Sequence, residues 1–228
     1  MKTALRSLLC ALIITTISIN KVMAAAVIFD FDDPKRLHGV SISLSSDLES
    51  FMGFAIGNGI SGLITFDPEN IENTTGDIIV DAKSIEFQHD LMTLHSLDGD
   101  WLDVKNHPNI SFRLNSLTDI NYYQQNNNNN NDKRFSATAN VNFSLKGITN
   151  EISVPVRISY RPSAHNKRLM GEKQLDGDLL IVSGAFNIKR ADYNIMPDKD
   201  EDKINPTVEI QLALVGTHPK TSQNQSQK

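Results

Sequence analysis

The sequence predicts an all-β chain: a single antiparallel β-barrel with a short helical insert. Three observations carry this. Apolar and polar residues alternate from residue 27 onward, turn residues interrupt the runs at short intervals, and only one segment repeats at helical spacing. Val27, Phe29 and Phe31 begin the alternation, and Val40, Ile42 and Leu44 continue it. Val141, Phe143 and Leu145 form a third run, and the longest joins Ile152, Val154, Val156, Ile158 and Tyr160 on one face. Ser153, Pro155, Arg157 and Ser159 occupy its other face, and Pro155 implies an edge, a bulge or a bend. Val208, Ile210, Leu212 and Leu214 repeat the device in a last strand spanning Thr207 to Thr217.

Gln88 to Gly99 reads as the exception. Leu91, Leu94 and either His95 or Leu97 recur at three- and four-residue spacing, which predicts a short amphipathic helix ended by Gly99. The stretch from His95 to Phe112 then joins helix to strand. It holds the sole tryptophan, Trp101, which with Leu102 lies between Asp100 and Asp103, and Pro108 marks where the next strand starts. Gly57-Asn58-Gly59, Asp67-Pro68, Lys146-Gly147 and Asp176-Gly177 read as hairpins or tight connections, giving an up-and-down order.

The ends set the compartment. Lys2 and Arg6 precede an apolar run from Leu8 to Ile19 and the small or aliphatic residues Val22-Met23-Ala24, the pattern of a secretory signal peptide over residues 1–24. The run is short of the roughly 20 apolar residues of a membrane span, so no stable membrane insertion is expected. Cleavage removes the single cysteine, Cys10, so the exported chain has neither disulfides nor thiol chemistry. It also removes three of 22 basic side chains and none of 27 acidic ones, leaving a formal charge of −8. That balance disfavours nucleic acid and anionic membrane surfaces as partners. The remaining residues, 25–219, suffice for one barrel domain; the Gln/Asn tract within 124–133 reads as a disordered hairpin loop and 220–228 as a polar tail.

No nucleophile elbow, phosphate loop or dinucleotide signature is present, and no cofactor is expected. His89, Asp90, His95 and Asp98 could serve a metal or acid–base role, giving an exported enzyme or metal-binding protein as the alternative reading. The six-residue separation of the histidines argues against it, since ligands sharing one helix face sit three or four apart. No metal site is therefore expected. The doublets Lys167-Arg168 and Lys189-Arg190 are too short and scattered for nucleic acid. Arg190 and Asp192, two apart on a strand, read as a structural ion pair at a barrel end.

Five blocks in order resemble the YceI-like family, exported polyisoprenoid-binding proteins with a lipocalin-like β-barrel. They are Gly62 to Pro68 with Glu72, Val80 to Ile85, His95 to Phe112, Leu145 to Asn150, and Ile188 to Ile195. Together they span roughly residues 27 to 217. Ile71 stands where a proline is usual, Trp101-Leu102 replaces paired phenylalanines, and Asn194 replaces a glycine. Met92 and Thr93 occupy the place of an Arg-Asp pair, so polar recognition of a ligand head group differs here.

The resemblance implies a periplasmic, non-enzymatic binder or carrier of a long-chain amphiphilic lipid, an isoprenoid quinone or polyprenyl compound, held inside the barrel. Phe66, Phe87, Met92, Trp101, Phe112, Phe143 and Phe186 are the candidate lining residues. A barrel filled solid, acting as a stress-response or interaction module, is the competing expectation. Whether two copies form a homodimer to enclose a longer chain is left open.

Overall fold

Strands form where the alternation runs, and each turns its apolar set toward one interior. The computed structural model describes residues 26–219 apart from 34, 36, 124–131, 170–175 and 198. The expected leader 1–24, most of the 124–133 tract and the expected tail 220–228 therefore lie outside the described residues. Eleven strands occur among the described residues: β1 (Val27–Asp30), β2 (Gly39–Ser45), β3 (Ser50–Ile56), β4 (Ile60–Phe66), β5 (Thr75–Asp81) and β6 (Ile85–Phe87), then β7 (Asn109–Tyr122), β8 (Lys133–Leu145), β9 (Ile148–Arg161), β10 (Gly177–Lys189) and β11 (Thr207–Pro219). Helix α1 (Asp90–Leu97) precedes β7, and α2 (His165–Leu169) follows β9. None of the described helices is long and apolar enough to cross a membrane.

All pairings are antiparallel, and the sheet closes where Asp30 of β1 meets Thr217 of β11. The closed ring has eight positions because neighbouring short strands share three of them. Ile60 opposite Val80 in β4–β5 continues, without a slip in register, as Ala55 opposite Ile85 in β3–β6. Thus β3 and β4 are one bent strand, as are β5 and β6, with their bends side by side as 3-10 turns at 57–59 and 82–84. Residues 31–38 similarly divide β1 from β2, both of which pair with β11.

Gly57-Asn58-Gly59 is accordingly a tight corner within a strand, not a hairpin, of the two readings its residues allow. A Cβ on Gly59 would lie 2.0 Å from Ser84 Oγ, so the two corners approach this closely only with glycine there. Asp81 shapes the facing corner: its carboxylate accepts from the Lys83 N–H at 3.0 Å and its carbonyl accepts the Ser84 hydroxyl at 2.7 Å. Lys146-Gly147 does form a two-residue hairpin between Leu145 and Ile148, with both φ angles positive at 50° and 76°.

Pro155 ends a ladder. Pairing of β9 with β10 runs from Arg161–Leu179 to Val156–Gly184 and stops there, because proline has no N–H to donate. Past this point the two strands part, and Asn150 Nδ2 spans the seam by donating to the Asp192 carbonyl at 3.1 Å. On β7, a register shift between Leu114 and Ser116 moves the inward set from Ile110 and Phe112 to Leu117, and a second shift follows Thr118.

The inward set makes one core along the barrel axis. One end is closed by rings: Phe66 lies 6.2 Å from Phe29, 6.3 Å from Phe135 and 5.4 Å from Tyr160, centroid to centroid. Burying each such side chain contributes about 1.5–3 kcal/mol. At the same end the Tyr160 hydroxyl donates to Asp178 at 3.0 Å, and burial followed by that partner pushes its pKa up.

The other end is framed by α1, the corner 98–107 and the loop 190–206. Arg190, 2 % exposed, organises that loop. Its Nε donates to the Asn205 carbonyl, one terminal nitrogen to those of Ile195 and Met196, and the other to those of Lys199 and Ile204, at 2.9–3.3 Å. All five guanidinium N–H groups are engaged. Arg190 therefore pairs with backbone carbonyls, which replaces the expected ion pair with Asp192; that carboxylate sits on an exposed residue. Asn194 takes a left-handed φ of 52° where it follows this turn.

Candidate functional site

Between the two ends the apolar lining leaves a file of voids. A cavity of about 90 Å³ near the closed end is bounded by Phe31, Ile64, Phe66, Ile78, Leu117 and Leu180 among others. A second, of about 80 Å³, follows toward α1 and shares Val40 and Phe112 with the first. A third, of about 330 Å³, opens at the mouth and shares Leu44, Phe87, Ser96 and Trp101 with the second. The shared walls place the three in series.

Six of the seven expected lining residues border this file. Phe66 borders the closed-end cavity, Phe112 stands between the first two, and Phe143 borders the middle one. Phe87 and Trp101 stand between the middle cavity and the mouth, where Met92 contributes to the wall. Phe186 borders none of the three. It packs behind them, 6.0 Å from Phe112 and 5.8 Å from Phe143 by ring centroids. Phe112 and Phe143 stack at 4.5 Å between centroids, with Phe112 in the wall that the first two cavities share.

Helix α1 covers the mouth, but by a different face from the one its spacing predicts. Leu91 and Leu94 are 53 % and 62 % exposed, while Ser96 is buried and Met92, Thr93 and Leu97 are half-buried. The helix is anchored by a polar contact instead of an apolar stripe: Thr93 Oγ1 accepts from the Phe87 N–H at 2.9 Å. Where the family's Arg-Asp pair is expected, this chain thus has a methionine in the cavity wall and a threonine tying α1 to β6.

The His89–Asp98 cluster is engaged in capping. His89 Nδ1 accepts from the Leu91 N–H at 3.2 Å, and the Asp98 carbonyl accepts from the N–H groups of Trp101 and Asp103 at 3.0 and 2.9 Å. Asp90 is exposed in the first turn, and His95 borders the mouth. Among the described residues no group of three or more His, Cys, Asp or Glu side chains is arranged to hold a metal ion.

Trp101 is held by its surroundings. Lys146 Nζ donates to the carbonyls of Asp100 at 3.1 Å and Asn194 at 2.7 Å, so the β8–β9 hairpin ties the tryptophan corner to the 190–206 loop. Burial lowers the Lys146 pKa, against the pull of Asp103 and Asp100. Asp103 turns the corner at a positive φ of 48°, and its carbonyl accepts from the His107 N–H at 2.8 Å.

Two buried polar features escaped sequence reasoning because neither lies in a motif. Thr74, 2 % exposed, borders the closed-end cavity, and its Oγ1 has no hydrogen-bond partner. Leaving such a hydroxyl unpaired costs about 1–3 kcal/mol. Outside the cavity at that end, Arg168 of α2 engages both carboxylate oxygens of Asp33, which is buried, and His165 lies buried nearby with both ring nitrogens unpartnered.

The fold and site define an up-and-down eight-position barrel whose interior is an apolar file opening under a helix. The chain belongs to the YceI-like domain family, whose model matches residues 29–216. Among solved structures it is similar to BcnA of Burkholderia cenocepacia, at 18 % identity and a TM-score of 0.56, covering 78 % of this chain and 95 % of that one. It is also similar to a polyisoprenoid binding domain from Saccharophagus degradans implicated in plant cell wall breakdown, at 10 % identity and a TM-score of 0.59, covering 85 % and 99 %. At these identities the likeness concerns the fold. No curated protein matches the sequence.

Proposed function

We propose that this protein is an exported, periplasmic carrier that holds a long-chain isoprenoid lipid, a quinone or polyprenyl compound, inside the barrel without chemically altering it. The observation that carries the reading is the series of apolar cavities from the mouth at Met92 and Trp101 to the closed end at Phe66. A branched hydrocarbon chain moved from water into such a lining gains roughly 0.8 kcal/mol per buried methylene, with no catalytic group required. Export rests on the leader-like residues 1–24.

The mouth differs in character from the interior: Glu49, His95 and Lys203 join Phe51, Phe87 and Trp101 in its wall, while the two inner cavities are lined almost wholly by carbon. Extraction of protein purified from its native host, followed by mass spectrometry, is expected to yield about one long-chain isoprenoid species per chain. Repeated recovery of none contradicts the proposal.

A further inference from the structure

Thr74 is a polar atom in the wrong place for a filled core. It follows the turn Ile71–Asn73 between β4 and β5, where its own N–H donates to the Ile71 carbonyl at 3.0 Å and holds the backbone in position. The side chain borders the closed-end cavity, and every other residue of that wall is aliphatic or phenylalanine. Native interiors rarely leave a hydroxyl without a partner, and valine would occupy the same volume without one. A lone water is a poor answer, because a buried water needs two to four polar partners and this wall supplies one side-chain oxygen.

We propose that Thr74 Oγ1 is the anchor for the leading end of the ligand, which enters oxygen first and lies with its hydrocarbon tail toward α1. The inference rests on the carrier reading and narrows its ligand class to uncharged isoprenoids bearing a hydroxyl or carbonyl oxygen at the inserted end. A phosphate or carboxylate is excluded from that end, because the wall has no ionisable side chain to pair with it. The hydroxyl can donate to a carbonyl, or both donate to and accept from an alcohol, so either oxygen chemistry satisfies it.

The test compares phytanol with phytane, a saturated isoprenoid pair differing only by a hydroxyl, on the wild-type chain and on Thr74→Val and Thr74→Ser. The wild type is expected to bind phytanol about tenfold more tightly than phytane, a difference of about 1.4 kcal/mol. Thr74→Val is expected to reduce that preference to about onefold while binding phytane undiminished, and Thr74→Ser to restore it. Equal binding of the two by the wild type, or a preference that survives in Thr74→Val, overturns the anchor and leaves the carrier reading standing. Failure of the wild type to bind either overturns the carrier reading itself.

Discussion

Arg168 clasps both oxygens of Asp33 across 135 residues of sequence, joining α2 to the segment that divides β1 from β2. The carboxylate also accepts the N–H groups of Lys35 at 3.2 Å and Leu37 at 3.0 Å. Burial alone would raise its pKa, but the guanidinium and the two backbone donors outweigh it and hold the group at about 2.

This pairing makes stability pH-dependent. A carboxylate depressed in the folded state binds its proton more readily when unfolded, so its contribution is present above about pH 4 and lost as pH falls toward 2. The shift corresponds to about 2 kcal/mol. Urea unfolding followed between pH 7 and pH 2 is expected to show that loss in the wild type, and Asp33→Asn to lack it while being destabilised at pH 7.

His165 adds a separate step at higher pH. Burial, and then the nearby Arg168, lower its pKa, against the pull of Asp33, so the unfolded chain takes up the proton first. Stability is therefore expected to decline as pH falls below about 6.5. Replacing the imidazole in His165→Gln should flatten the curve in that range and leave the lower step in place.

Phe112 separates the two inner voids, and removing its ring should unite them. Phe112→Ala is expected to cost about 3–5 kcal/mol in urea unfolding, because the cavity it opens is not refilled. If the folded fraction at low temperature binds longer isoprenoid chains than the wild type, the ring is the barrier; unchanged chain-length preference would show that it is not.

Arg190 holds the 190–206 loop through five carbonyls, so Arg190→Met should cost at least about 3 kcal/mol and raise hydrogen exchange across that loop. Arg190→Lys, with three donors on a single nitrogen, is expected to recover only part of the loss. By contrast Leu91→Ser and Leu94→Ser, on the exposed side of α1, should each change stability by no more than about 0.5 kcal/mol.

The barrel was legible wherever one face of a strand is buried and the other wet. In β8, Phe135, Ala137, Ala139, Val141, Phe143 and Leu145 are buried at every second position, and alternation alone assigns their side. Corners were not legible: glycine at 57 and 59 is equally compatible with a reversal and a bend, and only the adjacent Ser84 decides. Helix α1 misled for a related reason, since eight residues resting on a mouth need one polar tie through Thr93 more than an apolar stripe. Arg190 and Thr74 were hidden because their environments are assembled from residues far apart in the fold, or from backbone groups that leave no mark in side-chain patterns.

Trp101, the sole tryptophan, stands between the middle cavity and the mouth and so reports on occupancy of the interior. Titration of the ligand-free protein with a long-chain isoprenoid quinone, followed by Trp101 emission, measures that occupancy directly. A saturable quench reaching its end at about one quinone per chain is the result expected. Emission that stays unchanged, or that falls linearly without saturation, would contradict an interior built to hold such a chain.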